Sequence, residues 1–408
     1  MGKSAHEIVM ESRKELVDKL IERMEQGYTL TESLWNGDAF SMHNPVSDTV
    51  YQGGNRLRLM FASMVYGYKD PRWMTFKQAK EQNYHVKRGA KGILLEKWIF
   101  TKEEAVLDEN GRPKRDPDGK ILKETVPLKN PVVNYFTVFN ASQIEGIPEF
   151  KFQEHKNDEI EKLADNFIRS SKCPIYYEAQ SRSYYSPSRD EIHLPLRDSF
   201  KNNTAHLSVL IHEMSHSTGH ESRLNRDIKN HFGTPEYARE ELHAELSSLF
   251  TQSDLGIPME YTDEHFKDHS NYIKSWISVL KNDPSELFRA CTVADGISKY
   301  LMDNYEKTLE LSLVADQEKH PDELTSSQTY TDRLKNEIRK NGLFPNQKIM
   351  SSIQELNRLT DHNHTLQDIY KLHKDQVFLP SSEEGKLVNT ISQEFRRQEL
   401  TLSPGMEL

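Results

Sequence analysis

The amino-acid sequence predicts an α+β fold built in three parts, and three observations carry that reading. Apolar residues recur with helical spacing in several long segments. Shorter segments alternate between apolar and polar residues and are bounded by turn pairs. Beyond about residue 306 the chain becomes polar and helix-prone, with few aromatics. The parts are a mixed α/β domain over 1–150, a second domain over 151–305 in which a hairpin precedes several helices, and a polar helical tail over 306–408. At 408 residues the chain can give two or three domains a core each.

The elements follow in order. Ile8, Val9, Leu16, Leu20, Ile21 and Met24 place a helix over 4–30, ended by Gly27. The turn-rich stretch to Gly54 reads as loop. Asn55 then caps a helix over 55–67, and Thr75 caps a short one over 75–82. Val86-Lys87-Arg88-Gly89 is a turn, and Gly92 to Phe100 alternates as a strand. The charged stretch 101–131 carries Asn110-Gly111 and Asp118-Gly119 and reads as an exposed insertion before a strand over Val132–Phe139. The second part opens with a helix over 158–170. Cys173–Glu178 and Tyr184–Leu194 are extended, with Ser186-Pro187-Ser188-Arg189-Asp190 as the turn of a hairpin. Helices are expected at about 203–218, 235–251, 264–281 and 284–305.

Composition narrows the function. The two cysteines, Cys173 and Cys291, exclude a disulfide scaffold and a Cys-rich zinc module, and they fit a reducing cytoplasm. No apolar run approaches the ~20 residues of a bilayer span, so no membrane association is expected. The N-terminus lacks the apolar core of a secretion signal, and His6 breaks the Gly2 myristoylation pattern. The net charge is −10 and the mean hydropathy −0.77. Within this acidic chain the window 51–100 is basic, with Arg56, Arg58, Arg72, Lys77, Lys87, Arg88, Lys91 and Lys97 interleaved with aromatic rings. Single-stranded nucleic acid needs cations for phosphates and ring faces for unstacked bases. Most of these rings belong to a core. Trp73, beside Arg72, is the candidate for stacking, and the glycines of Lys87-Arg88-Gly89-Ala90-Lys91-Gly92 let backbone amides approach phosphates.

The strongest motif is His212-Glu213-Met214-Ser215-His216, on a helix whose apolar face includes Leu207, Leu210 and Ile211. Residues i and i+4 share a helix face, so both imidazoles reach one ion. Glu213 lies about 100° around, where a carboxylate can take a proton from water. The preceding hairpin gives the zincin order of edge strand, then active-site helix. Downstream, Glu240-Glu241-Leu242-His243-Ala244-Glu245 supplies a carboxylate for a His₂Glu site. Glu241-x-x-Ala244 followed by Glu245 resembles the ExxA(D/E) motif of gluzincin-type sites, and that resemblance implies Glu241 as the third ligand and Glu245 as the group that orients a ligand histidine, with Glu240 solvated. His220 is the rival third ligand. On a straight helix it would lie about 12 Å along the axis from His212, too far for one tetrahedral ion. Its other reading is a cation at the helix C-terminus. The expected ion is Zn²⁺, with another divalent ion as the alternative.

The run Tyr184-Tyr185-Ser186-Pro187-Ser188-Arg189-Asp190-Glu191-Ile192-His193-Leu194-Pro195, the HExxH helix and Glu240-Glu241-Leu242-His243-Ala244-Glu245 together resemble the zincin-like metallopeptidase domain of ArdC-type antirestriction proteins. Asp70-Pro71-Arg72-Trp73-Met74-Thr75-Phe76-Lys77, Lys87-Arg88-Gly89-x-Lys91-Gly92 and Phe139-Asn140-Ala141-x-Gln143-Ile144 resemble that family's single-stranded-DNA-binding domain. The resemblance covers about 5–305 and leaves out the tail. It implies a protein of conjugative plasmids or phages that binds single-stranded DNA and shields incoming DNA from restriction, with an unidentified protein as the peptidase target. Two alternatives stand beside it: a non-catalytic single-stranded-DNA-binding protein with a structural metal, and a cytosolic regulatory protease that cuts a repressor. Tyr184, Tyr185, Arg223, Tyr237 and His243 are the candidates for stabilising a transition state.

Overall fold

The structure, a computed structural model, describes residues 2–402 apart from 29, 31–33, 35–40, 48, 110–111, 151–154, 229–233, 261–273, 320–330, 332, 336, 339–346, 375–376 and 379–381. It divides into two compact units, Met1–Leu311 and Ser312–Leu408. Most of the helix expected at 264–281 and the Asn110-Gly111 pair lie outside the described residues; 274–282 is helical.

The first unit opens with helix α1 (Ala5–Glu25). Ser4 and Glu7 close a capping box on its first turn, and Val9, Leu16, Val17, Leu20, Ile21 and Met24 form its buried stripe. Helix α2 (Gly53–Tyr66) begins two residues before the expected cap. Asn55 is inside that helix and its side-chain amide spans β3: Nδ2 donates to the Glu96 carbonyl at 2.8 Å, and Oδ1 accepts the Glu96 N–H at 3.0 Å. The strands β1 (Trp73–Thr75), β3 (Ile93–Ala105) and β4 (Lys123–Asn140) form an antiparallel sheet in the order β1-β4-β3. Helix α3 (Phe76–Glu81) follows β1 on a Thr75 capping box. The short strands β2 (His85–Val86) and β5 (Ile144–Glu145) pair beside it.

The described residues of 101–131 are mostly exposed, as expected, and they lengthen the two flanking strands. Thr101–Ala105 pairs with Lys123–Pro127 past a bulge at Ile99/Thr101, and the bridges Leu107↔Pro113 and Arg115↔Ile121 extend the ribbon. The expected strands stopped at Phe100 and began at Val132, because a two-stranded ribbon with solvent on both faces lacks the apolar alternation that marks a half-buried strand.

The HExxH half follows. Helix α4 (Asn157–Ser170) leads to a sheet ordered β6-β8-β7, from β6 (Ile175–Glu178), β7 (Tyr184–Ser186) and β8 (Glu191–Pro195). β6 runs parallel and β7 antiparallel to β8. Asp190 takes φ +55 in the β7–β8 turn, a conformation that Asp tolerates better than most residues. Then come α5 (Asn203–Ser217), α6 (Pro235–Leu255) and α7 (Ser285–Lys319).

Two cores organise this unit. One joins Ile192 and Leu194 of β8 to Leu207, Leu210, Ile211 and Met214 of α5 and to Phe167 of α4. The other joins α1, α2 and β1 to Leu242, Leu246 and Phe250 of α6 and to Leu287, Phe288 and Cys291 of α7. The N-terminal half therefore closes its core with helices from the HExxH half.

The second unit contains α8 (Gln347–Thr360), α9 (Leu366–Lys374) and α10 (Glu383–Leu402). Its polar composition hides a core of its own, in which Ile349, Ile353, Leu356, Ile369, Val388, Ile391 and Phe395 are all buried. Leu334, Ile338, Met350 and Leu366 complete that core while much of the segment stays polar.

Candidate metal centre and basic surface

Asn202 caps α5 by accepting the Ala205 N–H at 2.8 Å. Thr234 caps α6, and Pro235 sits in its first turn. The two helices are bonded to each other through Ser208: its carbonyl accepts from Ser248 Oγ at 3.3 Å, and its hydroxyl donates to Gln252 Oε1 at 2.7 Å. Ser215 donates to the Ile211 carbonyl of its own helix at 2.7 Å. The contact between α5 and α6 brings Glu241 of α6 to the two histidines of α5.

His212 Nε2 and His216 Nε2 lie 3.2 Å apart, and Glu241 Oε2 lies 3.6 Å from each. An ion with bonds of ~2.0–2.1 Å to three tetrahedral donors requires donor separations of about 3.3–3.4 Å. The three groups therefore fit a divalent ion without rearrangement. The His212 and His216 imidazoles reverse the effect of burial on Glu241 and hold its carboxyl well below the usual carboxylate range. Burial pushes the Glu213 carboxyl up, against the opposing pull of the two imidazoles and the Tyr185 backbone amide.

Each imidazole has a second carboxylate behind it. Glu245 Oε2 is 3.8 Å from His212 Nδ1. Glu240, expected to be solvated, is buried. It accepts from Arg226 Nη2 at 2.7 Å and lies 3.2 Å from His216 Nδ1 and 3.4 Å from His243 Nδ1. Burial alone would raise the Glu240 carboxyl, but those three cations or donors hold it well below its ordinary value. The reading missed Glu240 because a helix face takes its meaning from what covers it. The signal in the sequence was Arg226, in the loop after α5.

His220 sits in the turn after α5, with Nδ1 2.9 Å from Ser222 Oγ and 3.9 Å from Asp190. Arg223 and Tyr185 both engage Asp190: Arg223 Nη1 donates at 3.0 Å and the Tyr185 hydroxyl at 2.7 Å. That network ties the β7–β8 turn to the loop after α5 and occupies two of the five candidate stabilisers. Tyr184 is exposed and stacks on His193, with ring centroids 4.8 Å apart.

The basic window divides in two. Trp73 has 0% exposure and lies in the core, so its ring offers no face to a base in this fold. Arg56 is buried. It donates to Asp254 Oδ1 at 2.7 Å and to the Phe250 carbonyl at 2.8 Å, pinning α2 to α6. Arg58 is buried too and donates to Ser12 Oγ at 2.6 Å; desolvation brings its pKa down to about 10, although Glu96 opposes this. Arg72 donates to both oxygens of Asp70, at 2.9 and 2.7 Å, and to the Pro148 carbonyl at 2.7 Å. Trp73, Arg56 and Arg58 are corrections to the nucleic-acid reading, since a guanidinium or ring committed to the interior cannot also meet a phosphate or base, and the Arg72 guanidinium is engaged by Asp70. Lys77, Lys87, Arg88 and Lys91 are exposed. Gly89 takes φ +82 in the loop that carries the last three, and Lys91 lies over the Tyr66 ring at 5.4 Å. Tyr66 and Phe76 are exposed rings in the same window.

A family model for the N-terminal domain of anti-restriction factor ArdC matches residues 10–139, and one for a zincin-like metallopeptidase matches 162–293. Two Escherichia coli proteins named DNA primase TraC are each 35% identical to 76% and 73% of this chain, which spans only 20% and 27% of their length. The uncharacterized protein y4eC of Sinorhizobium fredii is 29% identical over 70% of this chain and 90% of its own. Crystal structures of the antirestriction ArdC protein from the R388 plasmid, metal-free and Mn(II)-bound, superimpose with TM-scores of 0.57 and 0.53 at 28% identity. They cover 72% of this chain and 98% and 97% of theirs. Fold and site thus define a zincin-like domain joined to an ArdC N-terminal domain. The chain is an ArdC-type protein. The domain and the Mn(II)-bound relative indicate a divalent metal, and His212, His216 and Glu241 are donors that could hold one. Among the described residues no helix is long and apolar enough to cross a membrane.

Proposed function

We propose that this protein binds single-stranded DNA and hydrolyses a peptide bond at a Zn²⁺ centre held by His212, His216 and Glu241. In this reading it acts in the cytoplasm, protecting incoming DNA from restriction during plasmid or phage transfer, and its peptidase target is an unidentified protein. The observation that carries the catalytic half is the convergence of three donors at 3.2–3.6 Å with buried Glu213 beside them. Two imidazoles and one carboxylate suit Zn²⁺ and leave an open position. A divalent ion there supplies Lewis acidity toward a carbonyl oxygen and lowers the pKa of water. Glu213 takes the proton of the attacking water and returns it to the leaving amine. Glu245 and Glu240 hold the Nδ1 side of His212 and His216, which keeps the Nε2 atoms turned toward one point.

The DNA half of the proposal rests on Lys77, Lys87, Arg88 and Lys91, with Tyr66 and Phe76 as rings on which bases can stack. Electrophoretic shifts with the full chain should favour single over double strands and weaken with salt as counterions are released. Lys87→Glu with Arg88→Glu should weaken the complex at least tenfold without moving the melting temperature. Equal affinity for both DNA forms would remove the single-strand reading. Glu213→Gln should keep metal and fold yet lose cleavage of a peptide library. Cleavage by that variant at the wild-type rate would take Glu213 out of the mechanism.

A further inference from the structure

The second unit carries another cluster of metal-ligating side chains, outside both matched families. Helix α8 ends at Thr360. Asp361 takes φ +48, and the His362 N–H reaches back to the Asn357 carbonyl at 3.2 Å, the bond that closes a Schellman end. Asn357 Oδ1 then accepts the His364 N–H at 3.0 Å. Helix α9 begins one residue later on a cap. Thr365 Oγ1 accepts the Asp368 N–H at 3.1 Å, while Asp368 Oδ2 accepts the Thr365 N–H at 2.9 Å and its hydroxyl at 2.7 Å. Leu366 and Ile369 anchor this first turn in the core. The connection between the helices is therefore held at both ends by hydrogen bonds and by packing.

The product of that geometry is a juxtaposition of His362, His364 and Asp368. One donor atom from each lies within 4.8 Å of the others. The two imidazoles meet edge to face, with centroids 4.7 Å apart. His364 is buried, and its Nε2 lies 2.9 Å from Thr360 Oγ1, which fixes the ring plane. His362 is exposed, so its ring can rotate to close the donor separation to the ~3.4 Å of a shared ion. The helix cap uses one Asp368 oxygen and leaves the other for coordination.

We propose that His362, His364 and Asp368 form a second site for a divalent transition-metal ion of the Zn²⁺ type, tying the end of α8 to the start of α9. Two imidazoles and one carboxylate favour Zn²⁺, Ni²⁺ or Cu²⁺ over Mg²⁺ or Ca²⁺, which take oxygen ligands. The inference does not depend on the peptidase reading.

The test is equilibrium dialysis of the full chain against Zn²⁺ at micromolar free concentration, followed by elemental analysis. Wild type should hold two equivalents and His216→Ala one. His216→Ala combined with His362→Ala should hold none. His362→Ala changes an exposed side chain, and Asp368→Asn keeps an acceptor for the cap, so both should melt as wild type does. Each should hold one equivalent fewer than wild type. A wild-type protein with one equivalent that His216→Ala removes would overturn the proposal. So would full retention in both His362→Ala and Asp368→Asn. The same dialysis against Mg²⁺ should leave the site unfilled, and Mg²⁺ uptake that His362→Ala abolishes would contradict the ligand assignment.

Discussion

Glu240 is buried among His216, Arg226 and His243, and its charge is compensated on all three sides. Its removal leaves Arg226 buried without its carboxylate, so Ala is a poor probe and Gln the better one. Glu240→Gln should lower metal affinity about 10–100-fold while the fold is kept, measured by competition with a chelator. Wild-type affinity in that variant would reduce Glu240 to a structural partner of Arg226. Trp73 is decided by the same kind of observation. With 0% exposure, its ring is part of the core that α2 and α6 share. Trp73→Ala should destabilise the first unit by about 3–5 kcal/mol in a urea melt. Its effect on DNA binding should vanish once affinity is corrected for the folded fraction. A stable Trp73→Ala protein that binds DNA poorly would return the ring to the DNA surface.

At the scale of elements, the α2–α7 contact depends on a residue with no side chain. A Cβ on Gly54 would lie 2.1 Å from Phe288 Cδ1. Phe288 is buried and cannot swing aside without opening the core. Gly54→Ala should therefore cost about 1–3 kcal/mol, read as a lowered urea midpoint with unchanged slope. In the sequence Gly53-Gly54 reads as a turn, because the pair matches turn chemistry and nothing local records that Phe288 lies across it. The α5–α6 contact is the opposite case. Ser208 and Ser248 carry no apolar signal in the sequence, yet both bond across the contact that brings Glu241 to the histidines.

For the whole first unit, the joint between halves is a charge cluster around the buried Arg56. Arg56 pairs with Asp254, and Asp295 accepts the Gly53 N–H. Burial pushes the Asp295 carboxyl up to about 6, with Arg56 opposing and Asp254 assisting. Below pH ~4 this group is protonated in both the folded and unfolded chain and does not distinguish them. Between about 4 and 6 the unfolded chain ionises first, so the contribution of Asp295 to stability is lost as pH rises through its folded pKa. Asp295→Asn should be more stable than wild type at pH 7 by about 2–3 kcal/mol, and the difference should disappear near pH 4. A pH-independent difference between the two proteins would contradict this. The shared core leads to a second expectation. Residues 1–150 alone lack the α6 and α7 side chains that cover Leu57, Leu59 and Phe61. That fragment should show no cooperative thermal transition, whereas a melt like that of the full chain would mean the halves fold separately.

The sequence by itself determined the local elements whose caps, periods and turns are contiguous: α1 with its Ser4–Glu7 box, the β7–β8 hairpin, and α5 with both imidazoles on one face. It also determined which donors were chemically able to hold a divalent ion, since spacing of four residues on a helix is a property of the helix alone. The role of each charge was decided only in the tertiary structure. Whether Arg56 and Arg58 are free to meet a phosphate, and whether Glu240 is solvated or buried behind His216, depends on chain tens to hundreds of residues away. A charged side chain costs free energy to bury until a partner meets it, and that partner is fixed by packing between elements.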